Sequence, residues 1–218
     1  FKSAGADKVT KALTKQGQSY NDPDFVKAAN CIKELVDMGA FIDGATGLSN
    51  DEASASFYAE QVPMYFTGSW MGGSIVTDAE KPDNFAVAPI PVVNSKNASV
   101  TDFMGGGSDT LMVSANTKNK DLAAAAAFEI TRGVSKHAYL SGAGIPAWTV
   151  DYDASSVPAL TQQVADIAGK ATSYTLWFDT LMSSDDAGEY LTLLQSLFAG
   201  DLKPEEFAAS MDKQLSKK

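Results

Sequence analysis

The chain has 218 residues, enough for one large domain or two small ones around a substantial core. Apolar residues make up 44% and charged residues 20%, an ordinary balance for a soluble globular protein, and no apolar run approaches the ~20 residues that span a bilayer. The formal net charge of −10 speaks against nucleic acid and anionic membrane surfaces, which both require clustered Lys and Arg, and it suits a neutral or cationic ligand.

Along the chain, helix signals are well punctuated. Asp22 and Pro23 supply an N-cap and a first-turn proline, after which Phe25, Ala28, Ala29, Ile32, Leu35 and Val36 form one apolar stripe that Gly39 ends. Cys31, the only cysteine, falls on that side and is expected to be a buried small hydrophobe; alone it excludes any intrachain disulfide. Ser49 with Glu52 has the spacing of a capping box for a second helix, through about Glu60. Val62–Phe66 and Phe85–Pro91 read as strands, the second placed at an edge or an exit by Pro89 and Pro91. Between Asn94 and Asp109 the composition turns to Asn, Ser, Thr and Gly, as expected of a linker or a domain crossing. Thr110–Val113 reads as a short strand and Leu122–Thr131 as an alanine-rich helix, with Gly133 beyond its end. A short helix over Lys136–Leu140 then leads into a turn-rich loop at Ser141–Pro146. The last third is helical. Val157, Leu160, Val164 and Ile167 share a face that stops at Gly169, and Tyr190, Leu191, Leu194, Leu197 and Phe198 form a stripe that stops at Gly200. Pro204 opens a final helix carrying Phe207, Met211 and Leu215. Many helices with few short strands make a mixed α/β or α+β protein rich in helix.

The residues that could carry chemistry are sparse. The single histidine, His137, leaves most zinc sets and any Ser-His-Asp or Cys-His mechanism hard to assemble. The Gly105-Gly106-Gly107 run lacks the phosphate-loop pattern and is followed by Ser108 and by Asp109, which an anion would avoid; a hinge or a ligand-contacting turn suits it better. The acidic pairs Asp185-Asp186 and Glu205-Glu206 fall in first turns of predicted helices, where carboxylates meet the helix dipole favourably. Asp151 and Asp153 lack the glycine and distal Glu of a calcium loop. Thr67, Gly68 and Ser69 form a small-residue turn that ends an apolar run and leaves Trp70 at a strand's end. Its broad ring either caps the core or offers a flat apolar face to a ligand with a polar rim, such as a pyranose. Tyr174, Trp177 and Asp179 lie together in a loop between two helices, where aromatic faces could stack on a sugar and the carboxylate could accept from hydroxyls; core packing is the alternative for Trp177 and Phe178. Trp148 is a third aromatic of the same kind, with weaker standing.

The order of these features resembles the C-terminal half of an extracellular, carbohydrate-type (family 1) solute-binding protein of bacterial ABC transporters. The matching residues run in sequence: Asn21 to Phe25 opening the helix that ends at Gly39, Phe57 through the Gly68-Ser69-Trp70 turn, and Asp83-Asn84-Phe85 leading to Pro89-Ile90-Pro91. The glycine run at 105–107 before Val113-Ser114, Asn116 to Asn119 before the alanine-rich helix, and Gly200 to Phe207 complete the series. One departure is Gln61-Val62-Pro63, where the family usually has Gly-Lys-Ala-Ala. The resemblance implies an α/β, periplasmic-binding-protein-like (type II) two-lobe architecture, of which this chain is a helix-rich C-terminal fragment. On that analogy, residues 1–100 and 146–218 belong to the second lobe and residues 101–145 return to the first. It implies a binder and not an enzyme, with no catalytic residue, cofactor or metal. Trp70 is carried over by motif position as a sugar platform, with Ser69 beside it. Trp177 and Tyr174 would form a second aromatic wall, Asp179 and Asp109 would accept from hydroxyls, and backbone groups at Gly107 and Ser108 would line the cleft. Implied partners are a carbohydrate and the permease subunits of the transporter, with no nucleic acid. The implied location is extracellular or periplasmic, touching the membrane only through an upstream lipid anchor. Because the chain opens on Phe1 without an initiator Met or a secretory signal, an upstream segment is expected, and with it self-association of the isolated piece. Two rivals stay open: a binder of the same fold for a polyamine or peptide, and a glycoside-processing enzyme, which would need two facing carboxyls.

Overall fold

The computed structural model describes residues 1–106 and 110–217. In chain order they include the helices α1 (Ala6–Leu13), α2 (Pro23–Asp37), α3 (Asn50–Tyr58) and α4 (Met71–Asp78), then strand β1 (Asp102–Met104). After these come α5 (Lys120–Ser141), α6 (Ala159–Ala168), strand β2 (Ser173–Thr175), α7 (Phe178–Leu181), α8 (Ser184–Ala199) and α9 (Pro204–Leu215). The elements gather into two units, each with its own apolar core.

The first unit holds α1, α2, β1, β2, α7, α8 and α9. Asp22 caps α2 by accepting the Asp24 N–H at 2.9 Å, with Pro23 in the first turn where no N–H is needed. Ser183 caps α8, accepting from the Asp186 N–H at 3.2 Å, and the Glu206 carboxylate in the first turn of α9 reaches back to the Lys203 N–H at 3.0 Å. The helices so delimited bury Val9 and Leu13 of α1, Phe25 and Ala29 of α2, Leu197 of α8, and Phe207, Ala208 and Met211 of α9 in one cluster. Tyr20 stacks on Phe25 with ring centroids 4.2 Å apart and meets the Phe207 ring edge-on. Buried Asp186 ties three segments together: it accepts from Ser183 Oγ at 2.7 Å and Gln214 Nε2 at 3.0 Å, and pairs with Lys15 Nζ at 3.0 Å. These bonds to the charged form outweigh its burial and hold its carboxyl below the usual range.

The second unit holds α3, α4, α5 and α6 around Met71, Ile75, Ala79 and Leu160, with Phe57, Tyr58, Tyr65, Phe85 and Val87 packed against them. The start of α4 is locked to the end of α5 by the Gly73 N–H, which donates to the Gly142 carbonyl at 2.9 Å.

Several sequence expectations are corrected. Val62–Phe66, Phe85–Pro91 and Thr110–Val113 form no strand, because they find no ladder partner among the described residues; the Val87 N–H lies 3.4 Å from the Gln163 side chain instead. The strands that do form, β1 and β2, pair in parallel with Phe103 opposite Tyr174, in stretches expected to be a linker and a loop. At three residues each, they are too short to show an alternating pattern. The alanine-rich helix does not stop before Gly133 but runs unbroken to Ser141, absorbing the expected Lys136–Leu140 helix; it ends at left-handed Gly142. One interior glycine costs only about 1 kcal/mol, which is not enough by itself to end a helix. Cys31 is half-buried rather than buried, and Leu35 is exposed.

Candidate functional site

In the second unit, the segment after α3 runs up to Trp70 in an alternating manner. Tyr65 turns inward, its ring 5.6 Å from Phe57 and its hydroxyl donating to Asn50 Oδ1 at 2.9 Å, while Met64 and Phe66 on either side face solvent. The chain then turns at Gly68, whose carbonyl accepts the Met71 N–H at 3.3 Å, and α4 begins. Met71 is buried, and its Sδ lies 2.8 Å from the Tyr58 hydroxyl. Anchoring Met71 inward leaves the preceding residue outside: Trp70, at the N-cap of α4, is 52% exposed, and Ser69 is half-buried. The benzo part of the indole lies directly over the Gly68 Cα, in the space a side chain there would fill.

The first unit repeats this construction. Trp177 occupies the N-cap of α7, and the next residue, Phe178, turns into the core with its ring 5.8 Å from Tyr190. The Trp177 carbonyl accepts the Thr180 N–H at 3.0 Å and its hydroxyl at 2.7 Å, which fixes the turn. Asp179 follows in the first turn of α7 and is exposed. Tyr174 on β2 is 48% exposed, its ring 6.3 Å from that of Phe103 across the ladder. Both aromatics of this unit lie against the glycines that end β1. A Cβ on Gly105 would sit 3.5 Å from the Trp177 ring, and one on Gly106 would sit 3.2 Å from the Tyr174 Cβ. Gly105 also donates its N–H to the Thr175 carbonyl at 2.8 Å. Both glycines have positive φ, which a side chain would resist.

Lys2 and Asp102 hold this corner in place. The buried Lys2 ammonium donates to the carbonyls of Ser99 (2.8 Å), Val100 (3.2 Å) and Asp102 (2.5 Å), and burial pushes its pKa down against the opposing pull of the Asp102 carboxylate. Asp102 accepts from the Ser99 N–H at 2.5 Å and Ser173 Oγ at 2.8 Å, bonds that keep its carboxyl below the ordinary range.

The structure thus places Ser69 and Trp70 on one unit, and Tyr174, Trp177 and Asp179 on the other, with Tyr174 and Trp177 brought together on the Gly105-Gly106 pair. Tyr174, expected in a loop, lies on a strand, and Asp179 on a helical turn. Gly107, Ser108 and Asp109 lie outside the described residues. Trp148 packs edge-on against Phe128, centroids 4.8 Å apart, beside the Arg132–Asp151 ion pair at 2.6 Å. Asp153 accepts its neighbour's Ser155 N–H at 2.9 Å, an internal turn contact. Phe103 is not marked by any local pattern in the sequence, and Gly68, read there as part of a small-residue turn, carries no sign of the indole that lies on its Cα. Each contact exists only through a neighbour brought close by the fold.

The family model described as bacterial extracellular solute-binding protein matches residues 1–128. Curated protein sequences give no match. One similar solved structure comes from work on xylan utilization by the thermophilic bacterium Caldanaerobius polysaccharolyticus: it is 29% identical with a TM-score of 0.85, over 97% of this chain and 55% of that one. A second, a chitin oligosaccharide binding protein, is 22% identical with a TM-score of 0.83, over 98% of this chain and 53% of that one. The chain spans about half the length of these structures.

Proposed function

This chain belongs to the bacterial extracellular solute-binding proteins and carries a helix-rich part of their periplasmic-binding-protein-like α/β fold, and we propose that it serves to capture a sugar or oligosaccharide for an ABC importer. Family membership implies an extracellular or periplasmic location; among the described residues no helix is long and apolar enough to cross a membrane. The observation that carries the sugar reading is the half-exposed Trp70 indole, held at the N-cap of α4 by a buried Met71. A ring so placed keeps apolar surface open beside a polar turn, which matches a pyranose, apolar on its face and polar at its rim. The similarity to a structure from work on xylan utilization supports the same ligand class.

In this reading Trp70 stacks on a sugar ring with Ser69 beside it. Trp177 and Tyr174 offer a second aromatic surface on the glycine pair, and Asp179 and Asp109 accept from hydroxyls near the backbone of Gly107 and Ser108. The captured sugar is handed to permease subunits of the transporter, and a lipid anchor upstream would keep the protein at the membrane. Residues 101–145 are proposed as the segment that returns to the first lobe. For the helical part of that segment the support is α5, which buries none of its described side chains and exposes Leu122, Ile130 and Val134.

The test is calorimetric titration of the full protein with xylohexaose and other neutral oligosaccharides. Trp70→Ala is expected to weaken the bound sugar about tenfold to a hundredfold, as removing a buried aromatic anchor does. Unchanged affinity would remove the stacking role, and turnover of a chromogenic glycoside would overturn binding as the activity.

A further inference from the structure

We propose that Gly68 is the positioning residue for the Trp70 indole, its bare Cα being the seat that fixes where the ring lies; this rests on the reading of Trp70 as a ligand platform. A Cβ built on Gly68 would overlap three consecutive atoms of the indole, Cε3, Cζ3 and Cη2. The ring therefore occupies the volume of the missing side chain. Gly68 is not among the glycines with positive φ, so alanine could follow the same backbone and only the space is at stake.

What gives way under that overlap is decided by the surroundings. The Gly68 carbonyl accepts the Met71 N–H, and Met71 is buried in the core and in contact with the Tyr58 hydroxyl. Just upstream, Tyr65 is held by Phe57 and Asn50. The backbone is pinned on both sides of the turn, whereas the indole is half in solvent. A side chain at 68 therefore displaces the ring and leaves α4 in place. Small residues at this turn serve the orientation of the platform, and ligand affinity depends on Gly68 through Trp70 alone.

The experiment uses the full protein with every tryptophan other than Trp70 replaced by Phe, Trp148 and Trp177 among them, so that emission reports Trp70 only. Gly68→Ala is expected to raise the acrylamide quenching constant of that emission about twofold, with the unfolding midpoint held close to its starting value. A double-mutant cycle on the otherwise native protein, read by xylohexaose titration, is expected to show Gly68→Ala weakening binding with Trp70 present and doing nothing further in a Trp70→Ala background. Quenching unchanged by Gly68→Ala would overturn the seat. So would a fall in unfolding midpoint as large in the Trp70→Ala background as with tryptophan present, since the cost would then lie in the backbone. If Trp70→Ala itself leaves xylohexaose binding intact, the platform reading fails while the quenching result still decides the seat. Should Gly68→Ala alone fail to fold, the Gly68→Ala, Trp70→Ala pair must fold, because its overlap has been removed; failure of the pair also overturns the proposal.

Discussion

Exposed Trp70 and half-buried Trp177 stay out of the core for the same reason: each precedes a residue, Met71 or Phe178, that the core takes in at the start of a helix. The Gly-Ser-Trp turn was legible in the sequence because a large ring beside two small residues stands out. Its glycine seat was not, since the overlap exists only once the ring has folded back. Asp24 shows how a residue outside any site can matter to the whole first unit. Its carboxylate accepts from Lys8 Nζ at 2.6 Å, Asn94 Nδ2 at 3.0 Å and Asn97 Nδ2 at 2.8 Å, fastening the 94–97 turn to the start of α2. The hydrogen bond from Lys8 is the main cause of its lowered pKa. A carboxyl whose folded pKa lies below its unfolded value, about 3.9, stabilises the fold above that value and loses the contribution as pH falls through the folded pKa. Asp24→Asn is therefore expected to be less stable than the native chain by about 1–3 kcal/mol at neutral pH, with the gap closing below about pH 4. Urea midpoints measured between neutral and acid pH check this; a gap that is constant with pH would contradict it.

At the scale of elements, the helices α2, α6, α8 and α9 were legible from a cap, a first-turn proline or a glycine stop. Asp22 with Pro23, Pro204, Gly169 and Gly200 lie where the expected helices start or end. Their apolar stripes were also legible, and α9 buries the expected Phe207, Met211 and Leu215. Strands were not, because a strand is defined by a partner. Val62–Phe66 has strand-like composition and no ladder, whereas β1 and β2 have a ladder and no pattern. The unbroken α5 is a further case, where the chain stays helical through Gly133 because one interior glycine costs only about 1 kcal/mol. On α9, which packs against α2 and α8, Met211 is fully buried. Met211→Ala is expected to cost about 2–5 kcal/mol through lost burial and the cavity left behind. A chemical-denaturation midpoint within about 0.5 kcal/mol of the native chain would show that this packing does not hold the unit together.

For the whole molecule, family and fold were legible from the succession of short motifs, none decisive alone, and the match to residues 1–128 shows the family. The likeness to solved structures reaches nearly the full chain. The ligand is not written in any one motif, and the chain spans about half the length of the solved structures it resembles. The net charge of −10 leaves a cationic solute as the main competitor to a neutral sugar. Calorimetric titration of the full protein with neutral oligosaccharides, spermidine and a short peptide separates these directly. Saturable binding of an oligosaccharide that persists at high salt is expected, because a neutral ligand owes little to screened charges. Saturable binding of spermidine or the peptide, with none of any sugar, would contradict it.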